Sequence, residues 1–342
     1  MEKEALFGKT PDELKIIVDE AGLPSYASKQ IAAWLYAKNI SSIEQMTDIS
    51  KKGRDFLIEK YELGLNSYET VQVSSDGTKK YLFSAGKIKR VEAAYIPETN
   101  RNTLCLSTQV GCKMGCLFCM TGKQGFQGNL TAGEILNQVK SLPESGKLTN
   151  IVYMGMGEPL DNIDEVLKSI NILTSDWGFG MSPRRVTVST IGIIPSMLRF
   201  LNECDAHLAL SLHTPFDEER KKLMPVETVY PVKNVIAELK KADWSGQRRI
   251  SIEYIMFRGL NDTREHVNEL ARLLSGLNCR INLIRFHPIP DTPLLSTADP
   301  DIEIFRDLLK RKGIIATIRR SRGEDIYAAC GLLSTKNLAK QG

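Results

Sequence analysis

Three cysteines lie close together a third of the way along the chain: Cys112, Cys116 and Cys119. Three residues separate the first two and two residues separate the last two. Structural zinc is usually held by four protein ligands, whereas a 4Fe-4S cluster held by three thiolates leaves one iron free to bind a further ligand. The spacing therefore favours a cluster with an open iron. Structural thiols, or a zinc ion held by these cysteines and a distant histidine, are the alternatives.

The other four of the seven cysteines fall into two groups. Cys204 and Cys279 stand at a predicted helix end and a predicted strand start, where free cysteines usually contribute to core packing. Cys105 lies in a short predicted strand that leads into the three-cysteine loop, and Cys330 lies near the C-terminus. The odd number of cysteines and the charged start of the chain indicate a reducing compartment, so we expect a cytoplasmic protein.

Length and charge exclude some classes of protein and leave others open. No apolar run approaches the roughly 18 residues that a membrane-spanning helix needs, so we expect no membrane association. The net charge is a mild +4, but basic residues concentrate between 79 and 90 and between 310 and 322. Such clusters are usually solvated surface, so charge alone does not establish binding to nucleic acid.

The chain is predicted to contain three parts. Residues 1–65 form a small helical accessory domain, in which Thr10 and Pro11 are a typical N-cap and first-turn pair. Residues 66–97 alternate as strands do around Asp76 and Gly77, a typical turn, and form a β-hairpin linker. The remainder, 98–342, is predicted to be the catalytic domain.

Strand-like segments rich in Ile, Val and Leu alternate with amphipathic helices from residue 98 onward. This alternation indicates an α/β fold with a parallel sheet covered by helices, and six strand–helix units predict a partial (β/α)6 barrel rather than a closed one. The predicted strands are 103–107, 150–154, 185–189, 206–212, 250–256 and 281–285, and a last strand, 314–318, leads toward Cys330.

Chemically capable residues follow the carboxyl ends of these strands, which is where barrel enzymes carry their active sites. Glycines there allow the backbone to approach a ligand closely, and the carboxylate of Glu158 can accept hydrogen bonds from an amino group. Any one of these residues alone is more often a satisfied loop group, and their coincidence on one rim predicts a ligand site. The candidates are Gly157, Glu158, Ser189, Ser211, Leu212, His213 and His287.

The cysteine loop has the spacing of the cluster loop of radical S-adenosylmethionine (SAM) enzymes. Together with four other segments it resembles the RlmN/Cfr family of radical SAM RNA methyltransferases, and the match runs over nearly the whole chain. The passages Thr121–Phe126 and Arg322–Asp325 are more similar to the RlmN branch. The four segments are Met154–Leu160, Arg184–Thr190, Ser211–His213 and Arg322–Gly331.

The resemblance implies two cofactors. A 4Fe-4S cluster would be held by the three cysteines of the loop, and SAM would be bound by the candidates on the rim, with Glu158 accepting from its amino group. One position departs from the family, which often has Asn before Pro at the end of the sixth strand where this chain has His287 and Pro288. A cofactor contact by His287 is therefore less secure than one by Glu158.

The resemblance also implies a reaction and its participants. C2 of adenine is electron-poor and cannot attack a methylsulfonium, so a carbon radical must be made and added to it. Cys330 would first take a methyl group from SAM, and radical chemistry would remove one hydrogen from it. The methylene would then add to C2, and Cys105 would take up the C2 proton and release the base by forming a disulfide with Cys330. Glu92 matches the family's proton acceptor.

The implied substrates are adenine 2503 of 23S rRNA and adenine 37 of certain tRNAs. The accessory domain would bind RNA, flavodoxin or ferredoxin would donate electrons, and the enzyme would act as a monomer. Two alternatives remain open. One is the Cfr-type methylase, which modifies C8 of adenine with nearly the same residues, and the other is a non-catalytic RNA-binding protein with a structural metal.

Overall fold

The structure is a computed structural model that describes residues 3–86, 88–244 and 248–335. Its N-terminal part is helical. Thr10 caps the first helix through a capping box, because its hydroxyl accepts from the Glu13 amide while the Glu13 carboxylate accepts from the Thr10 amide. The predicted helix start is thus confirmed. The elements are β1 (Glu4–Ala5), α1 (Pro11–Glu20), α2 (Ala27–Tyr36), α3 (Lys51–Lys60) and β2 (Tyr61–Glu62).

An antiparallel meander follows the helical part. Its first two strands form the predicted hairpin, with Asp76 and Gly77 in the turn and Gly77 at a φ of +85°. The hairpin is continuous with the barrel, because the third strand of the meander pairs with the fourth, which is the first barrel strand. The strands are β3 (Thr70–Val73), β4 (Lys79–Ala85), β5 (Lys89–Glu98) and β6 (Arg101–Cys105).

The barrel sheet contains seven parallel strands, beginning with β6. The described strands run in the order β14-β13-β12-β11-β10-β9-β6-β5-β4-β3, so β14 and β3 are its two edges and the barrel is partial, as predicted. A separate antiparallel pair, β7 (Gln109–Val110) and β8 (Gly128–Asn129), flanks the cysteine loop. The other strands are β9 (Asn150–Tyr153), β10 (Val186–Thr190), β11 (His207–Ser211), β12 (Ile250–Met256), β13 (Cys279–Arg285) and β14 (Ile315–Ile318).

Helices cover the sheet and bury their apolar faces in one large core. Half-buried Cys204 and Cys279 pack against that core, as predicted. Among the described residues, no helix is long and apolar enough to cross a membrane. The helices are α4 (Met120–Gln124), α5 (Ala132–Lys140), α6 (Ile163–Thr174), α7 (Ile194–Glu203), α8 (Asp217–Leu223), α9 (Val232–Lys241), α10 (Arg264–Leu274) and α11 (Asp299–Arg311).

Two local predictions were wrong. Asp262, followed by Glu265 three residues later, predicts a helix start with a capping box, but the N-cap of α10 is Thr263. The reason is that the Asp262 carboxylate accepts hydrogen bonds from the Gly259 amide and the Thr297 hydroxyl instead. Ser42 is likewise predicted from the sequence to open a helix, but it precedes only a three-residue 3-10 turn. Helix α8 was not predicted.

Candidate active site

The cysteine loop connects β7 to α4 at the carboxyl end of the first barrel strand. Gly111 at its start has a φ of +73°, and a Cβ atom there would lie 1.7 Å from the carbonyl oxygen of Gly125, so only glycine fits. Phe118 packs edge-on against the His213 ring, with 4.8 Å between the ring centroids. The loop therefore contacts both the segment that follows it, at Gly125, and His213, just beyond the end of β11.

The three thiols of the loop act on one another electrostatically. Burial, with the nearby Cys119 acting in the same direction, raises the pKa of Cys112 to about 12. Burial also raises the pKa of Cys116, with Cys119 and Cys112 adding to the effect. Within the described ranges, no three His, Cys, Asp or Glu side chains converge on a position for a single metal ion. Three neighbouring thiols on one glycine-bounded loop nevertheless match the donor set that a 4Fe-4S cluster uses.

Cys330 lies in a segment that packs against the cysteine loop. This segment, residues 321–335, is called the thiol loop here. The backbone N–H of Met120 donates a hydrogen bond of 2.8 Å to the carbonyl of Gly331. Because these two residues directly follow Cys119 and Cys330, the bond brings the two cysteines to the same place. Burial raises the pKa of Cys330, and the charge of the nearby Cys119 acts in the same direction.

Helix α4 holds the thiol loop on the far side of Cys330. The Thr121 hydroxyl donates to the Leu333 carbonyl at 2.7 Å. The side-chain oxygen of Gln124 accepts from the Ser334 hydroxyl and the Thr335 amide, both at 3.0 Å, and its amide nitrogen donates to the Thr335 hydroxyl at 2.7 Å. The passage Thr121–Phe126, which carried part of the resemblance, thus anchors the thiol loop.

Cys105 and Cys330 face one region of the site although 224 residues separate them in the sequence. Cys105 packs with Ala328 of the thiol loop, and burial raises its pKa to about 12, with the charge of Cys330 acting in the same direction. The Cys330 side chain is exposed, and burial of its surroundings still raises the pKa of its thiol. Both are free thiols, and the expected disulfide is not seen in the structure.

Glu92 is 3% exposed, although its sequence pattern alone suggests an exposed strand carboxylate. Its carboxylate pairs with Lys80 at 3.0 Å and accepts from the Ser334 amide at 2.9 Å. Burial raises its pKa, and Lys80 opposes that shift. Glu92 also borders a cavity of about 380 Å³, which Lys80, Tyr327, Leu332 and Ser334 line with it.

Glu158 lies buried between the ends of β9 and β10. Its oxygens accept from the Thr190 hydroxyl at 2.6 Å, the Ile191 amide at 3.1 Å and the Leu160 amide at 3.2 Å. Burial raises its pKa to about 7, and these hydrogen bonds limit the shift. The donors are neutral, so a cationic amino group beside Glu158 would supply the positive charge that its buried carboxylate lacks. Gly157 adjoins it at a φ of +98°, in close contact with Gln109.

His213 is a satisfied structural group. Its Nδ1 accepts from the Ile255 amide at 3.0 Å, and its carbonyl accepts from the Asn261 side chain at 2.6 Å. Burial, aided by the charge of Arg220, lowers its pKa to about 3, so the ring is neutral. Leu212 is fully buried beside it, and the predicted cofactor contact of this segment stays a prediction.

The remaining rim candidates lie at two different places. Ser189 and Ser211 are half-buried near the ends of the neighbouring strands β10 and β11, on the rim with Glu158. His287 lies against the thiol loop instead. Its Nε2 is 2.9 Å from the Ser321 hydroxyl, and its Nδ1 is 3.7 Å from the Glu324 carboxylate. The structure therefore brings His287 toward the Cys330 segment, and its cofactor contact stays untested.

Two arginines belong to the site although sequence reasoning did not select them. Arg319 follows β14, pairs with Glu253 at 3.3 Å, and lies close enough to both Cys105 and Cys330 for their charges to raise its pKa. It had been interpreted only as part of a basic cluster. Its position directly after the last predicted strand was the one available signal.

The second arginine, Arg220, is fully buried on α8. It pairs with Glu227 and donates to three carbonyls, those of Ile191, Ser211 and Leu212, at 2.9 to 3.1 Å. Because these carbonyls lie at the ends of β10 and β11, Arg220 holds the two strand ends together beside the cysteine loop. Sequence reasoning did not predict helix α8, so it gave no reason to expect that Arg220 is buried in the protein interior.

Comparison with known proteins identifies the class. The model of the radical SAM superfamily matches residues 106–274, and the model of the ribosomal RNA large subunit methyltransferase N-terminal domain matches residues 5–63. A crystal structure of a radical SAM methyltransferase from Sphaerobacter thermophilus superposes with a TM-score of 0.90 at 38% identity, covering 96% of this chain and 99% of that one. The predicted fold is confirmed.

Curated relatives define the family more narrowly. The probable dual-specificity RNA methyltransferase RlmN of Parabacteroides distasonis is 54% identical over 335 residues, 98% of each chain. The dual-specificity RNA methyltransferase RlmN of Syntrophus aciditrophicus is 41% identical, over 96% of each chain. This chain belongs to the RlmN family of radical SAM RNA methyltransferases, as its motifs predicted. Enzymes of the radical SAM class use SAM and a 4Fe-4S cluster.

The buried pair of Arg220 and Glu227 should dominate the stability of the rim. Glu227→Gln leaves the guanidinium buried without its counter-charge, so the free energy of unfolding should fall by about 3–5 kcal/mol. The matched control is Glu238→Gln, which breaks an exposed pair with Lys241 and should cost less than about 1 kcal/mol. Denaturant unfolding of both variants measures the difference, and equal losses would contradict the assignment.

Proposed function

We propose that the chain methylates C2 of adenine in RNA, in 23S rRNA and in tRNA, with Cys330 carrying the transferred carbon. The hydrogen bond from Met120 to Gly331 is the observation that carries this proposal, since it brings Cys330 to the cysteine loop. The packing of Cys105 against Ala328 of the same segment supports a role for this second thiol in the same reaction. The RlmN relatives are dual-specificity RNA methyltransferases, which supports two RNA classes as substrates, and the family resemblance supplies 23S rRNA and tRNA as these classes.

In this proposal the three cysteines of the loop hold the 4Fe-4S cluster. Glu158 lies at the neighbouring strand end, where its buried carboxylate suits the amino group of SAM, and Ser189, Ser211 and Leu212 line the same rim. When bound, the cluster and SAM supply a methyl donor and a means of removing one hydrogen atom. All further steps are the work of the chain's own residues.

Cys330 accepts the methyl group on its sulfur and, after loss of one hydrogen, presents the carbon to C2 of adenine. The adduct loses one electron to the one-electron carrier that serves the enzyme, and its C2 proton passes to Cys105. The sulfur of Cys105 then bonds to that of Cys330 while the bond from Cys330 to the transferred carbon breaks, and this carbon takes up the proton that completes the methyl group. A cellular reductant reopens the disulfide. Arg319, which acts electrostatically on both thiols, favours their ionised forms.

The cavity beside Glu92 is the proposed place for the target base. It lies between β4, β5 and the thiol loop, and it is large enough for a purine ring. Glu92 is the proposed final acceptor of the one proton that the overall reaction releases, and its raised pKa is consistent with that role. Four arginines line a second cavity on the other side of the thiol loop and suit RNA phosphates: Arg285, Arg319, Arg320 and Arg322.

The remaining participants rest on the family. Flavodoxin or ferredoxin is the proposed electron donor, the helical accessory domain is the proposed RNA-binding module, and the enzyme is proposed to act as a monomer in the cytoplasm. The location of the active site inside a single chain is consistent with a monomer.

The cluster assignment predicts metal content. Anaerobically purified protein should contain iron and sulfide with the visible absorption of a 4Fe-4S cluster, because three thiolates with an open iron suit that cluster. Cys116→Ala should lose it, while Cys279→Ala, the matched control on β13, should keep it. Iron and zinc analysis measure both variants, and stoichiometric zinc in the wild type would show that the loop is a zinc site.

The proposed position of methylation predicts the product. Treated 23S rRNA and tRNA should both contain 2-methyladenosine, identified by mass spectrometry of nucleosides against standards. If 8-methyladenosine is the main product, the chain has the Cfr-type activity instead. Unmodified RNA after incubation with the loaded, reduced enzyme would favour the non-catalytic alternative.

Because the two thiols have different proposed roles, their alanine variants should differ in whether a covalent enzyme–RNA species accumulates. Cys105→Ala should load and activate the methyl group but fail to release the base, so a covalent enzyme–RNA species accumulates. Cys330→Ala should form no such species and should lose methyl transfer while keeping its iron. A denaturing gel with labelled RNA compares the two.

The control for both variants is Cys204→Ala, which removes a half-buried thiol far from the site. It should cost about 1 kcal/mol of stability and leave methylation unaltered. Equal amounts of adduct in the Cys105 and Cys330 variants would overturn the assignment of roles.

A further inference from the structure

The thiol loop is also held by the turn of the β3–β4 hairpin, residues 74–78. The Ser74 hydroxyl donates to Oδ1 of Asp325 at 2.6 Å, and the Ser75 backbone N–H donates to Oδ2 at 3.0 Å. Both oxygens of one carboxylate in the thiol loop are therefore bound by the hairpin turn. The partners lie 251 and 250 residues apart in the sequence, so only the fold brings them together.

Asp76 makes the reciprocal contact from the hairpin side. Its Oδ2 accepts from the Gly323 backbone N–H at 3.0 Å, and its Oδ1 accepts from the Thr78 N–H at 2.9 Å. Burial acts to raise the pKa of Asp76, but these hydrogen bonds outweigh it and lower the pKa to about 2. The carboxylate is thus ionised at working pH, and its hydrogen bonds are charge-assisted.

The backbone of the thiol loop needs such external contacts. Gly323 and Tyr327 have φ values of +64° and +54°, and a tyrosine at positive φ is unfavourable on its own. The fit at Gly323 is close, since a Cβ atom there would lie 2.8 Å from Cγ2 of Thr78. Local preferences therefore do not hold the segment before Cys330 in its observed shape.

Asp325 is part of the passage Arg322–Asp325, whose function is not explained by the cluster, SAM or either thiol. We propose that Asp325 and Asp76 are positioning residues, which fasten the thiol loop to the hairpin turn and so hold Cys330 opposite Cys105 and the cysteine loop. The proposal rests on the proposed role of Cys330 as the methyl carrier. Helix α4 holds the thiol loop after Cys330 and the hairpin turn holds it before Cys330. The segment that carries the reactive cysteine is therefore fixed on both sides.

The test compares Asp325→Ala, Asp325→Asn and Ser74→Ala in the full-length holoenzyme. Amide hydrogen exchange of residues 323–335 should accelerate by about tenfold or more in Asp325→Ala. The reason is that the loop can open locally without first breaking the hydrogen bonds of the carboxylate, so opening costs less free energy. Asp325→Asn keeps one acceptor oxygen and should fall between Asp325→Ala and the wild type. The double variant Ser74→Ala/Asp325→Ala should exchange no faster than Asp325→Ala, since Asp325→Ala already removes the hydrogen bond that the Ser74 hydroxyl makes to the thiol loop.

Asp262→Ala is the matched control, because Asp262 likewise accepts from one hydroxyl and one backbone N–H, those of Thr297 and Gly259. It should leave exchange of residues 323–335 unchanged. A positioning role also predicts that kcat for methylation falls by about tenfold in Asp325→Ala while the KM for SAM stays within about twofold.

Unchanged exchange in Asp325→Ala would overturn the proposal, and so would faster exchange with an unaltered kcat. The exchange experiment does not require methyl transfer. A failure of the proposed function would instead appear in the wild type, as an absence of methylated RNA, and is thus distinguishable from a failure of the positioning role.

Discussion

The proposed active site depends on one constraint: a thiol near the C-terminus must be held against a loop that follows the first barrel strand. The hydrogen bond from Met120 to Gly331 meets this constraint directly, because it joins the residues next to Cys119 and Cys330. A partial barrel makes the contact possible. Its last strand, β14, lies at an open edge of the sheet, so the chain beyond it can return across the mouth toward β6 and Cys105.

Buried charged side chains hold the other strand ends of the rim in place, and each forms hydrogen bonds or ion pairs with specific partners. Arg220 joins the ends of β10 and β11, Glu158 joins the ends of β9 and β10, and Glu92 joins β5 to the thiol loop. An unpaired charge at such depth would be costly, so these networks resist rearrangement. A radical reaction benefits from that rigidity, since the reacting carbon must meet one ring position and nothing else.

Periodicity and capping rules were sufficient to predict the parallel strands and most of the covering helices, because these elements bury a regular apolar face. The rules failed at Asp262, because its carboxylate accepts two hydrogen bonds that outweigh the capping pattern. They also missed α8, because its sequence is mostly polar although it contains a buried arginine. Cys105, Cys330 and the cysteine loop were selected as candidate site residues through their motifs, and the structure brings them together. The contact between Asp325 and the hairpin could not be predicted, since no local rule relates positions 251 residues apart.

The central claim is that Cys330, among seven cysteines, carries the methyl group. Mass spectrometry of peptides from protein that was supplied with isotopically labelled SAM tests it most directly. The proposed mechanism predicts one labelled methyl group on the peptide that contains Cys330 and none on the peptide that contains Cys105. A labelled methyl group on Cys105, or on no cysteine at all, would contradict it.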